Sequence, residues 1–124
     1  MSHLSKIEIQ INDLQALKQA CQVMGLEFME NQRQFKWYNG LSPCDHVIRV
    51  PGASYELGII RNGKNYELQG DFWNAGGLVN RLGPNGNLLK KHYSLERVKN
   101  VGRREGYSIR EQPIQNGTRL ILTA

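Results

Sequence analysis

Long hydrophobic runs are missing from this chain of 124 residues, and no stretch approaches the roughly 20 apolar residues that a membrane-crossing helix needs. The opening Met1-Ser2-His3-Leu4-Ser5-Lys6 has no apolar stretch of the kind that directs export. The expectation is a chain kept in a cytosol-like compartment, away from membranes. Cysteine is scarce: Cys21 and Cys44 stand alone, too far apart for a local metal or redox pair, and both are expected as reduced thiols because disulfides are rare inside cells. The three histidines, His3, His46 and His92, lack the paired spacing of a zinc site, so neither a metal nor another cofactor is expected. Aromatic residues, 8% of the chain, are too thinly mixed with the basic ones to form an RNA-recognition signature.

What is present suits a single folded domain over residues 1–124, with 40% apolar and 22% charged residues, enough to bury one core without staples. The net charge is +5, and it is unevenly placed. Between Arg81 and Arg110 eight basic residues (Arg81, Lys90, Lys91, Arg97, Lys99, Arg103, Arg104, Arg110) face two acidic ones, Glu96 and Glu105, so this segment carries the whole excess. A basic patch of this kind suits a nucleotide, nucleic-acid or acidic-protein partner.

Ile7, Ile9 and Ile11 alternate with Lys6, Glu8 and Gln10, the period of a half-buried strand. Asn12 stands where an N-cap belongs, with Gln15 three residues on, and Leu14, Leu17, Cys21 and Met24 form a stripe that Gly25 closes, predicting a helix over residues 13–24. Residues 26–38 read as a hairpin or bent strand, 46–50 and 55–60 as strands, and 66–72 as the return from a type I′ turn at Asn62-Gly63. Residues 73–87 hold four glycines and a proline without periodicity and read as a long loop. A second helix over residues 88–105 follows, with Leu88, Leu95, Val98 and Val101 as its core stripe and a basic outer face. A terminal hairpin then turns at Asn116-Gly117. The order β-α-β-β-β-α-β-β predicts an α+β fold with two helices on one face of an antiparallel sheet, for which a ferredoxin-like split β-α-β is the nearest named arrangement.

The opening Met1-Ser2-His3-Leu4, the Asp13-Leu14-Gln15-Ala16-Leu17 helix, Tyr55-Glu56-Leu57-Gly58, Tyr66-Glu67-Leu68 and Asp71-Phe72-Trp73 together carry a likeness. So do Tyr93, Gly106-Tyr107 and Asn116-Gly117-Thr118-Arg119. The chain resembles the Ycf thirty-five family, the hypothetical chloroplast reading frame also found as a domain of unknown function in cyanobacteria, other bacteria and phages. The resemblance implies a fold and a compartment (bacterial cytoplasm, plastid stroma or a phage-infected host cell) and no particular activity. Its bacterial members tend to sit near AAA-type ATPases, which implies an accessory or adaptor role by association. The glycine-rich residues 75–87 depart from the family pattern, as in a phage or otherwise divergent member.

Two readings of that segment stand side by side. Gly76 and Gly77, with Arg81 and the helix carrying Lys90 and Lys91, have the makings of an anion cradle, although the spacing matches neither the P-loop nor the dinucleotide fingerprint. The plainer reading, and the favoured one, is that the glycines serve a flexible loop. Arg97, Arg103 and Arg104, with Lys90, Lys91 and Lys99, suit phosphate neutralisation, with Tyr93 or Tyr107 stacking on a base; a solvated helix face is the plain alternative. Cys44-Asp45-His46 supplies nucleophile, acid and base in one tripeptide, but alternation puts Asp45 on the face opposite the other two.

The leading expectation is a non-enzymatic binding domain, prone to homo-oligomerise through strand edges, for an anionic ligand: a nucleotide, a cyclic nucleotide signal sequestered in a phage context, or nucleic acid. The rivals are an accessory subunit of an AAA-type ATPase, contacting it through Phe35, Trp37 and Trp73, and a phosphoester-cleaving enzyme.

Overall fold

The computed structural model describes residues 4–124, so His3 lies outside them. Strand β1 (Ser5–Ile11) leads into α1 (Leu14–Met24), followed by β2 (Glu27–Met29), β3 (Gln34–Trp37), β4 (Gly40–Pro43), β5 (His46–Arg49), β6 (Glu56–Asn62) and β7 (Asn65–Gly70). A short helix α2 (Leu78–Leu82) precedes α3 (Asn87–Arg104), and the hairpin of β8 (Ser108–Ile114) and β9 (Gly117–Thr123) closes the chain.

The fold is α+β with antiparallel sheets. Five strands pair in the order β1-β7-β6-β5-β2, every neighbouring pair antiparallel. It follows that β1 and β2 run in the same direction at opposite edges, a β-α-β unit split by three strands. Alternation along the strands sorts the core into two layers. Ile48, Leu57, Ile59 and Leu68 face the helices and meet Leu17, Leu78, Leu82 and Leu89. Val47, one residue from Ile48, joins Phe35 and Cys44 in a second cluster, where the β3–β4 hairpin covers the opposite face. Gly58 makes that packing possible, since a Cβ there would run into the Phe35 ring.

Three local features differ from the sequence expectations. The N-cap of α1 is Asp13, whose Oδ1 accepts the Ala16 N–H at 3.0 Å, not Asn12. Asn12 is otherwise engaged, its N–H donating to the Tyr93 hydroxyl at 3.1 Å. The β6–β7 loop is Gly63-Lys64, one residue later than expected, and only Gly63 takes positive φ (65°), so the turn is not type I′. Strand β1 also bulges: Ile7 lies opposite Leu68 and Ile11 opposite Tyr66, so the three residues between them in β1 face a single residue of β7. Bulges re-aim side chains at sheet edges, and Ile9 is only partly buried where a regular alternation would have buried it.

Candidate functional site

Helix α3 buries a different face from the expected one. Leu89, Tyr93, Glu96, Lys99 and Gly102 are buried, whereas Leu88, Val98 and Val101 of the expected core stripe are 45%, 48% and 43% exposed. The helix turns this way because Leu89 and Tyr93 reach the main core while Asn100 bonds Gln19 of α1 at 2.8 Å. Lys99 is clasped between Glu96 (2.7 Å) and Glu111 of β8 (2.6 Å). That triad pins the terminal hairpin to α3, and Ile109 and Leu122 close over Gly102, where even a methyl group would press on both.

Between these elements runs a groove of about 410 Å³ lined by Ile9, Gln10, Tyr93, Ser94, Arg97, Val98, Val101, Gly102, Glu105 and Leu122. Its walls are α3, the bulged and otherwise unpaired edge of β1, and β9. Its lining is mostly aliphatic, with Arg97, Glu105, Gln10 and Ser94 as the polar groups. As site residues, Ile9, Gln10, Ser94, Gly102, Glu105 and Leu122 were not expected from the sequence, and Val98 and Val101 were expected in the core. The available signal was α3 itself, which has more apolar positions than one buried stripe can hold.

The structure divides the expected ligand residues. Lys90, Arg97 and Arg104 recur at seven-residue spacing along α3 and so form one stripe, about 10 Å between successive members. Lys91 lies beside Gly117 of the hairpin. Arg103 turns toward α1, donating to Asn100 Oδ1 at 3.4 Å, and exposed Arg104 approaches the Asp13 carboxylate at 3.9 Å.

Other expected ligand residues serve the fold. Arg81 donates to the carbonyls of Pro51 and Met24, each at 2.9 Å, clamping α2 to the end of α1. Buried Tyr93 receives the N–H groups of Asn12 and Asp13 on its hydroxyl, which removes it as a stacking platform. Lys99, counted above with the outer basic face, is buried and paired. Gly76 carries the Tyr55 ring directly against its Cα, Gly77 abuts Ala53, and Gly86 sits under Ile7, so the glycine-rich segment is packed chain rather than a flexible loop or an open cradle. It includes the five residues of α2 and 3-10 turns at Asn74–Gly76 and Pro84–Gly86.

The tripeptide Cys44-Asp45-His46 is likewise occupied. Cys44 Sγ donates to the Gln32 carbonyl at 3.4 Å, and burial first, then the Asp45 charge, pushes its thiol up to about 11. Asp45 accepts from Arg33 at 3.1 Å and from the Arg61 N–H at 2.7 Å. His46 Nδ1 accepts the Asn31 N–H at 3.0 Å, and the ring lies between Phe28 and Tyr66. Both cysteines are free thiols; burial pushes Cys21 up to about 12. Among the described residues no group of three His, Cys, Asp or Glu side chains is placed to hold a metal ion, and no helix is long and apolar enough to cross a membrane. Of the aromatic contact surface expected for an ATPase partner, Phe35 is fully buried, Trp37 packs against the second cluster, and Trp73 is exposed.

The family model described as a protein of unknown function, DUF1257, matches residues 20–121, from the middle of α1 into β9. An uncharacterized protein, ycf35, of Guillardia theta is 29% identical over 75 residues, covering 59% of this chain and 59% of that protein. The match thus spans less than two thirds of the relative's length. No solved structure matches the chain.

Proposed function

The chain belongs to the DUF1257 family, and we propose that it is a non-enzymatic binding domain whose α3 groove takes an extended, acidic and partly apolar segment of a partner protein. One observation carries this: an apolar groove along a helix that carries half-buried Lys90 and exposed Arg97 and Arg104 in one stripe, bounded by an edge of β1 that is unpaired among the described residues. Aliphatic walls suit leucine- or valine-like side chains. The basic stripe attracts carboxylates and orients them, and the free edge of β1 offers backbone N–H and C=O groups to an extended chain. Among anionic ligands this favours an acidic segment over a nucleotide, because Tyr93 gives no ring to stack on and the glycines give no phosphate cradle.

The test is fluorescence anisotropy with a labelled peptide of alternating leucine and glutamate, challenged by ATP and by a single-stranded oligonucleotide. Saturable binding is expected, weakened about tenfold or more by Arg97→Glu or Val98→Asp, a loss of about 1.4 kcal/mol for each factor of ten. Both side chains are exposed, so the fold should survive either change. Binding indifferent to both substitutions refutes the proposal, and displacement by ATP but not by excess unlabelled peptide transfers the groove to a nucleotide.

A further inference from the structure

Beyond β7, near the start of β1 and away from the groove, Asp71 is fully buried. Its Oδ1 accepts the Trp73 N–H at 3.1 Å, but its Oδ2 has no hydrogen-bond partner among the described residues. A buried carboxylate oxygen left unpaired is costly, and among the described residues no ion pair to Asp71 forms. The turn that follows it is aromatic. The Trp73 ring meets Tyr38 edge-on with centroids 5.4 Å apart, and these rings are 41% and 58% exposed. Tyr55 lies over Gly76, whose N–H donates to the Trp73 carbonyl at 2.9 Å, which ties the third ring to the same turn. The Tyr55 phenol is held above its ordinary value by burial first, then by the charges of Asp71 and Tyr38.

We propose that Asp71, with Tyr38, Tyr55 and Trp73, is a receptor for the guanidinium of an arginine presented by a partner protein. Aromatic faces attract cations, and a planar guanidinium stacks on rings while donating to a carboxylate, which a compact ammonium does less well. The exposed Tyr38–Trp73 pair is the cover that tilts to admit it. The incoming N–H groups then supply the bond that Oδ2 lacks, while Oδ1 keeps Trp73 in place. This site is separate in position and opposite in sign from the basic groove, so either stands if the other fails.

The probe is N-acetyl-arginine amide, with N-acetyl-citrulline amide as its neutral counterpart, each titrated against tryptophan fluorescence. The expected result is a saturable change with the arginine compound only, lost in Trp73→Phe and at least about tenfold weaker in Asp71→Asn. Asparagine keeps the oxygen that accepts the Trp73 N–H and removes the unpaired charge. Asp71→Asn is therefore expected to melt at the same temperature as the parent or higher. An equal response to the citrulline compound, no saturable response, or a melting temperature several degrees lower in Asp71→Asn would each overturn the proposal, the last by assigning the carboxylate to the fold.

Discussion

Lys99→Met removes the cation at the centre of the α3–β8 contact, and the structure sets the size of the effect. The Lys99 and Glu96 side chains are 11% and 9% exposed, whereas Glu111 is 51% exposed. Removing the lysine strands Glu96 as a buried, unpaired carboxylate, a change worth about 3–5 kcal/mol when one partner of a buried pair is deleted. Glu111→Gln leaves Lys99 still bonded to Glu96 and disturbs a half-exposed pair, worth about 1 kcal/mol or less. Adding Glu96→Leu to Lys99→Met removes the stranded charge and should recover most of the loss. Against a domain stability of roughly 5–15 kcal/mol, the single change is readily measured as a shift in urea midpoint at constant slope. Hydrogen exchange should locate the loosening in residues 108–123. Burial pulls the Lys99 pKa down, but hydrogen bonds to Glu111 and Glu96 more than offset this, and the net direction is upward. A raised folded value means the contribution is complete below the ordinary 10.5 and fades as pH rises through the folded value. A smaller cost for Lys99→Met than for Glu111→Gln, or a double variant no more stable than Lys99→Met, would show that Glu96 is not stranded by loss of the lysine.

His46 gives the complementary acid limb. Burial, its largest influence, holds its pKa below the ordinary 6.5, so its stabilising contribution is complete above 6.5 and lost as pH falls through the folded value; the imidazole resonance should titrate below 6.5 and the urea midpoint should begin to fall there. Gly76→Ala drives a methyl group into the Tyr55 ring, which packs too tightly to yield, and should cost about 1–3 kcal/mol, measured by thermal melting; an unchanged melting temperature would show that the ring has room to move.

Much of the fold was legible from short-range pattern. The alternating isoleucines of β1 and the Leu14-Leu17-Cys21 stripe closed by Gly25 mark elements whose place follows from periodicity, with Ile7, Ile11, Leu17 and Cys21 buried as expected and Ile9 and Leu14 only partly so. The face of α3 was not legible, because a pattern counts Lys99 and Glu96 as solvated, whereas here they neutralise each other and are completed by Glu111. Nothing local to residues 96–99 announces that partner. The glycine-rich segment misled for a related reason. Glycine is equally consistent with freedom and with close approach, and only Tyr55, Ala53 and Ile7, distant in sequence, decide for close approach. The basic cluster was visible in composition, but composition does not separate Arg97 at a groove from Arg81, which binds two carbonyls.

The groove and the buried ion triad have one origin. An 18-residue α3 is about 27 Å long, and its core-facing side alone satisfies the packing against α1 and the sheet. The remaining apolar side chains at the groove, Val98 and Val101, are left to the terminal hairpin, whose Leu122 lines the same groove and packs with Ile109 over Gly102. A two-stranded hairpin is marginal by itself, and most residues of β8 and β9 are exposed, so its position depends on what attaches it to α3. Glu111 bonded to Lys99 is one such attachment, beside the packing of Ile109 and Leu122 over Gly102. Burying a lysine inside α3 is thus one means by which an otherwise loose hairpin becomes a fixed wall, and the exposed valines opposite it become the floor of a defined groove rather than an apolar surface open on all sides.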